Sequence, residues 1–527
     1  MRLKQPIDGA DSMHILDEIV ERRKEDIQKY GFGFGAAVPE KRTRGITPFL
    51  VQKGAILEIK RASPSKGDIA PNLDASQTAQ LYAQAGAAAV SVLTEQRYFK
   101  GSLDDLQAVC RSVDSFAART GKPAPAVLRK DFLLCPEEVD VAYMYGADAV
   151  LLIARILDDK TLLAMAGRCR SLGISALLEL RLDDDLRKLS LVVQEYGTES
   201  VVCGVNARNL STFAIDLLAP AGIRGEILHS TGADMRVVFE SGIRTPSAAA
   251  FAGSMGFSGM LLGEAAARNP GEAASLVRAF ETAKPTRGAA QWLSFADAAY
   301  KKNHSDEKKR KPLVKVCGLT GTKDALQAAE FGADFLGFVF CAKSPRNVDA
   351  ETVRAARKLL AEKSERPFSV PKIVCVITEC DSAEGKAAIE LVRDGTADFL
   401  QLHGRNATEQ FFADESLSFL PHYAAVNISS EEDLAEVEKL LQQGEPRILI
   451  DAQSCGKMGG TGMQVDRSLC EAAAKKVRLW LAGGISAGNI REIVQNCEPE
   501  LVDVNSGIES APGKKDRQKM ADFFSRL

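Results

Sequence analysis

The feature that most constrains this chain is a pair of series, each of eight short apolar runs separated by amphipathic helical stretches. The first series occupies 55–59, 87–94, 126–132, 147–153, 176–180, 201–206, 237–242 and 259–263. These runs are apolar almost throughout, the pattern of parallel strands covered by helices. Eight such units in roughly 250 residues fit a closed (β/α)₈ barrel. A doubly wound sheet is the competing arrangement, but no glycine-rich dinucleotide fingerprint follows any strand. The second series runs through 313–318, 335–340, 372–376, 399–403, 422–426, 447–451, 479–484 and 501–507. The expected fold class is therefore α/β, as two tandem (β/α)₈ barrels.

The boundaries follow from where this rhythm lapses. Residues 1–285 hold the first barrel, with an extra amphipathic helix over 15–27 ahead of its first strand. Residues 286–311 read as a polar linker ending in the charge run 306–311, with Trp292, Leu293 and Phe295 marking a part that docks on a surface. Residues 312–527 hold the second barrel, and no residue-level repeat relates the two. A formal net charge of -3 provides no large field of either sign for a nucleic-acid partner. No apolar run is long enough for a membrane span, and the first residues, with Asp8 and Asp11, lack a signal-peptide core. Eleven cysteines without a CxxC pair suit reduced thiols in a cytoplasmic protein. Five histidines, none paired at ligand spacing, point away from a metal site.

In this barrel class the reacting groups gather at the C-terminal ends of the strands. Glu58, Lys60, Lys130, Glu179, Asn206, Glu240 and Ser241 all fall there, whereas chance would scatter them to both ends. Glu58 and Lys60 share a face opposite Leu57 and Ile59, because side chains alternate along a strand. They form either a structural ion pair or part of a reaction centre. Lys60 and Lys130, if neighbours, would lower each other's pKa and ease proton donation near neutral pH. The glutamates supply bases or hold the lysines charged, and Asn206 and Arg208 share a face suited to a hydroxyl or carboxylate. Phosphate sites in such barrels form in the loops after the last two strands. Ser241-Gly242 and Gly263-Glu264 occupy those loops in the first half, Gly483-Gly484 and Ser506-Gly507 in the second. Each pair alone also reads as an ordinary tight turn. Cys317 ends a strand with Lys315 on the same face; it is either a core thiol or a general base facing Asp451 across the barrel. Arg346, in the second βα loop, is either a solvated side chain or a two-pronged grip for a carboxylate.

As an ordered set, LEIKRASPSKG, SVLTEQRYFKGS, LRKDFLLCP, LLELR, GVNARNL, FESGIRTP and LLGEA resemble indole-3-glycerol phosphate synthases. KVCGLT, KSPRNV, QLHG, ILIDA, GGTG, LAGGIS and DVNSGIE resemble phosphoribosylanthranilate isomerases. The resemblance implies a bifunctional tryptophan-biosynthesis enzyme, synthase half first, that acts on small phosphosugar–anthranilate substrates without metal or organic cofactor. It also implies roles. Lys130 would be the general acid of ring closure, and Glu58, Lys60 and Glu179 would manage the proton transfers of dehydration. Asn206, Arg208 and Glu240 would position the substrate, with Asn206 counted in the catalytic set, and Ser63 would also contact it. Phe99 and Phe132 would pack on its aromatic ring, and Ser241, Gly242 and Gly263 would hold its phosphate. In the isomerase half Asp451 would protonate the ribose ring oxygen and Cys317 would remove the C2′ proton. Arg346, through the anthranilate carboxylate, and His403 would bind substrate; Gly483, Gly484, Ser506 and Gly507 would hold phosphate. The chain departs from that pattern at Met463-Gln464-Val465-Asp466-Arg467, where relatives tend to place aromatics, at Asn505, where a small residue is usual, and at Ala265, where a hydroxyl is common. A cytoplasmic monomer is expected, with no nucleic-acid or membrane partner.

Overall fold

The computed structural model describes residues 9–64, 66–181, 183–208, 214–232, 234–304, 311–363, 370–452 and 467–527. Two units divide at Pro285 and Thr286, and each holds a closed barrel of eight parallel strands. In the first the strands are β1 (Gly54–Ile59), β2 (Ala89–Leu93), β3 (Ala126–Lys130), β4 (Ala149–Ile153), β5 (Ser175–Leu180), β6 (Val201–Asn206), β7 (Val237–Glu240) and β8 (Gly259–Leu262). In the second they are β9 (Leu313–Val316), β10 (Phe335–Phe340), β11 (Lys372–Ile377), β12 (Phe399–His403), β13 (His422–Ile428), β14 (Ile448–Ala452), β15 (Trp480–Ala482) and β16 (Leu501–Val504). Sequence neighbours pair in parallel, and β8 returns to β1 with Gly54 opposite Gly259. The second barrel closes through β9 and β16, with Lys315 opposite Asp503. Runs such as 237–242 and 501–507 overshoot their strands at the C-terminal end because each includes the glycine turn that follows.

Every strand between two others must bury both faces, which is why the runs are apolar throughout. Most exceptions lie inside the barrels, while the buried Arg129 of β3 instead donates to the Glu138 carbonyl and Asp131. Glu58, Glu179 and Glu240 are buried in the first, and Lys315, Gln401 and Asp503 in the second. An N-terminal helix, Gly9–Tyr30, precedes β1. Its Arg23 is buried and donates to Glu138 Oε1 (2.9 and 2.5 Å) and Asp131 Oδ1 (3.0 Å), which ties the helix to the loop after β3.

The segment read as a polar linker over 286–311 carries a helix, Arg287–His304, that belongs to the second unit. Ala289, Trp292, Phe295 and Ala296 are buried at helical spacing. Trp292 lies 5.0 Å from the Phe399 ring and 6.1 Å from Trp480; Phe295 lies 5.4 Å from Trp480 and 6.1 Å from Phe335. Phe335, Phe399 and Trp480 open β10, β12 and β15, so the helix covers the N-terminal mouth of this barrel. The polar residues of its outer face dilute that stripe in the sequence. Residues 305–310 of the charge run lie outside the described residues.

Candidate active sites

In the first barrel, Glu58, Lys60, Ser63, Phe99, Lys130, Phe132, Glu179, Asn206, Arg208, Glu240, Ser241, Gly242 and Gly263 all line one cavity of ≈ 280 Å³. Strand alternation and register assemble them. Lys130 closes β3, Asn206 and Glu240 are opposite each other at the ends of β6 and β7, and Glu179 is opposite Gly204. Gly204 is bare for a reason: a Cβ there would stand 2.3 Å from Glu240 Oε1. Glu58 Oε1 lies 3.4 Å from Lys60 Nζ. Glu58 Oε2 and Glu240 Oε1 are buried without a hydrogen-bond partner among the described residues. Lys130 Nζ lies 3.9 Å from Glu179 Oε2, too far for a hydrogen bond. The Phe99 and Phe132 rings are 6.0 Å apart, with Lys60 Nζ 5.6 Å from the Phe99 centroid.

The charges separate the roles these groups can take. Burial works to lower the Lys130 pKa, but Glu240, Glu179 and Glu58 outweigh it and the pKa is raised. The expectation that Lys130 is lowered is overturned: carboxyl groups, not a second ammonium, dominate around it. Burial would raise Glu179, but Arg181 and Lys130 bring it below the ordinary carboxylate range. Burial, then Glu179 and Glu58, push Glu240 up to about 8 against the pull of Lys130. Near neutral pH the cavity therefore holds a charged Lys130, an ionised Glu179 and a protonated Glu240. Carboxyls with pKa values driven apart are the usual mark of divided acid and base duties.

Also lining the cavity, Ser241 (φ 69°) and Gly242 (φ 84°) are both left-handed. For a serine this conformation costs of order 1 kcal/mol and persists where the surroundings enforce it. Such turns expose successive backbone N–H groups to an anion. Sequence reasoning missed several other residues of the cavity. Arg181 donates through Nε (2.9 Å) and Nη2 to Glu179 Oε1. Its i, i+2 spacing from Glu179 is the signal that singled out Lys60 beside Glu58. Lys66 reaches Glu264 at 2.8 and 2.6 Å, and Ile15, Leu16 and Ile19 of the N-terminal helix also line the cavity. No local signal points that helix at the site.

In the second barrel Cys317, directly after β9, is buried beside Lys315, while His403 and Asp451 lie at the C-terminal ends of β12 and β14. Burial pushes the Cys317 thiol up; Lys315 pulls it back and Asp503 opposes Lys315. Burial raises Asp451 against the pull of His403. Lys315 and Asp503 influence both Cys317 and Asp451. Arg346 is not a freely solvated side chain. Its Nε and Nη2 donate to Glu509 Oε1 (2.9 Å) and Oε2 (2.6 Å). A short hairpin, Glu509–Ala511 with Lys514–Lys515, brings Glu509 there. Any substrate carboxylate would share or displace that partner. Lys515 Nζ donates to Glu509 Oε1 and Asn505 Oδ1, both at 2.9 Å, so the unusual Asn505 anchors the same hairpin. The two glycine loops meet: a Cβ on Gly507 would stand 2.0 Å from the Ile485 carbonyl oxygen, directly after Gly483-Gly484. Ser506 opens a 3₁₀ turn there. The GGTG motif at 459–462, the departures at 463–466 and the Arg467 side chain lie outside the described residues.

Comparison with known proteins agrees with this geometry. A family model described as indole-3-glycerol phosphate synthase matches residues 16–279, and one described as N-(5'phosphoribosyl)anthranilate (PRA) isomerase matches 314–526. The chain is 32% identical over 490 residues to a multifunctional tryptophan biosynthesis protein of Schizosaccharomyces pombe, covering 89% of this chain and 59% of that protein. It therefore spans only about three fifths of that relative's length. Tryptophan biosynthesis protein TrpCF of Vibrio cholerae is 31% identical over 486 residues, covering 90% of this chain and 86% of that protein. Indole-3-glycerol phosphate synthase of Exiguobacterium sibiricum is 34% identical over 265 residues, 49% of this chain and 95% of that protein. With these matches on two closed barrels, the chain belongs to the indole-3-glycerol phosphate synthase family, fused to a PRA isomerase domain in the tandem of bifunctional tryptophan-biosynthesis proteins.

Proposed function

We propose that the chain catalyses two consecutive steps. The second barrel isomerises N-(5-phosphoribosyl)anthranilate to 1-(2-carboxyphenylamino)-1-deoxyribulose 5-phosphate, an Amadori rearrangement. The first barrel closes that ketone into indole-3-glycerol phosphate with loss of carbon dioxide and water. The observation that carries the reading is the single cavity holding a charged Lys130, an ionised Glu179 and a protonated Glu240 beside a left-handed anion turn.

Lys130 gives its proton to the ketone oxygen as the anthranilate ring carbon attacks the carbonyl carbon. The ring carboxylate then leaves as carbon dioxide and returns its bonding electrons to the ring. Glu179 takes up a proton during dehydration, and the Glu58–Lys60 pair serves the departing hydroxyl. Phe99 and Phe132 flank the aromatic ring; Asn206, Glu240 and Ser63 orient the hydroxyls. Ser241, Gly242 and Gly263 receive the phosphate, and Arg208 helps position the substrate. In the second barrel Asp451, whose pKa burial raises, protonates the ribose ring oxygen, and Cys317 takes the C2′ proton. Arg346 and His403 bind the anthranilate end, and the joined loops at Gly483, Gly484, Ser506 and Gly507 hold phosphate. The described cysteines are all free thiols, in keeping with a reducing cytoplasm.

Supplying 1-(2-carboxyphenylamino)-1-deoxyribulose 5-phosphate to the full chain tests the first barrel. Release of carbon dioxide with a fluorescent indole product is expected. A chain that left this compound untouched but turned over plain sugar phosphates would be a different pair of phosphosugar barrels. N-(5-phosphoribosyl)anthranilate tests the second barrel in the same way.

A further inference from the structure

Below the mouth of the second barrel runs a line of buried polar groups to which the acid–base steps give no part. Lys315 is fully buried, and its ammonium donates to Asp503 Oδ2 at 2.6 Å and Gln401 Oε1 at 2.8 Å. Tyr423 Oη donates to the same Gln401 oxygen at 2.9 Å. The register builds this cluster: Lys315 is opposite Asp503 across β9 and β16, and Gln401 is opposite Tyr423 across β12 and β13. An ammonium has donors and no lone pair, so turning the Gln401 amide over would set its NH₂ against Lys315. The amide orientation is thereby fixed, and Gln401 Nε2 lies 3.4 Å from His403 Nδ1. That contact has one chemical sense. The amide donates, Nδ1 must offer its lone pair, and a neutral imidazole then carries its proton on Nε2.

We propose that Lys315 and Gln401 are positioning residues that hold His403 as the neutral Nε2–H tautomer at the rim shared with Asp451. This rests on reading that rim as the isomerase site. The charged groups acting on His403 are Asp451, Lys315 and Asp503, and burial holds the imidazole below its ordinary range in spite of Asp451. The consequence is chemical. With Nδ1 engaged by Gln401 and Nε2 already protonated, His403 can donate to a carboxylate or a substrate oxygen. It has no free lone pair with which to intercept the proton that Asp451 delivers. Nε2–H is thus a fixed, uncharged donor beside the acid.

The test is ¹⁵N-histidine labelling of the full chain, in which five histidines keep long-range ¹H–¹⁵N spectra resolvable. His403 is assigned by the signals lost in His403→Asn. The expected wild-type spectrum near neutral pH shows a bare Nδ1 and a protonated Nε2. A protonated Nδ1, or an imidazolium, overturns the proposal. In Gln401→Glu the carboxylate cannot donate, so His403 should change tautomer or become charged. The pH profile of isomerisation should then move, with kcat falling roughly 10-fold to 10⁴-fold, the upper figure being typical of an imidazole held in the wrong tautomer. An unchanged tautomer in that variant refutes the positioning role even where activity drops. Should Gln401→Glu fail to fold, Gln401→Met removes the donor without adding charge, and a single Nε2–H tautomer persisting there refutes the role equally. The spectra need no turnover, so they stay decisive if the isomerase reading itself fails.

Discussion

The helix Arg287–His304 makes the sharpest physical prediction, because it converts an apparent tether into part of a barrel. Trp292 is 2% exposed and Phe295 6%, and both sit on the aromatic residues that open β10, β12 and β15. Removing a buried Trp or Phe side chain costs about 3–5 kcal/mol. A domain's whole stability is about 5–15 kcal/mol. Trp292→Ala should therefore remove about a fifth or more of the second unit's stability. At roughly 2–4 °C per kcal/mol for a domain of this size, its melting temperature should drop by about 6–20 °C. Calorimetry of the full chain reads this directly, with the isomerase transition moving and the synthase transition staying in place. Cutting the chain sharpens the test. A fragment beginning at Thr286 should melt cooperatively and isomerise, whereas one beginning after Lys301 loses both rings and should do neither. A cooperative, active fragment lacking residues 286–301, or a Trp292→Ala chain with an unshifted second transition, would show that the helix is a passive tether.

Lys130→Ala should lower indole formation roughly 10²–10⁴-fold and leave isomerisation intact, while Cys317→Ala should do the reverse; separate assays of the two steps read both. Glu240 titrates at about 8, so Glu240→Gln preserves the neutral-pH charge pattern. The wild-type pH profile of ring closure should carry an ionisation near that value which the variant lacks; an unaltered profile would deny Glu240 its proton. His422 donates toward Glu445 Oε1 and the Leu420 carbonyl, both at 2.8 Å. Burial opposes its charge, Glu445 outweighs burial, and its pKa is raised. Its contribution to stability is thus fully present below the unfolded-state value of about 6.5 and is lost as pH rises through the folded value. Thermal melts of the second unit across roughly pH 6–9 should show that decline, and His422→Gln should flatten it.

The order of the residues alone determined the elements and the rim on which the chemistry sits. Whether a run is apolar on both faces is a local property, and parallel strands in a closed barrel bring all their C-terminal ends to one side. Glu58, Lys130, Glu179, Asn206 and Glu240 could therefore be gathered without coordinates. Tertiary structure alone decided what state each group is in and which partner it keeps. The proton on Glu240 depends on carboxyls from β1 and β5 and on burial by all the strands around it. Glu509 engages Arg346 from a hairpin 163 residues further along the chain. Trp292 and Phe295 together find their floor on three separate strands. Electrostatics and packing act through space, and proximity in space is what a linear sequence does not encode locally.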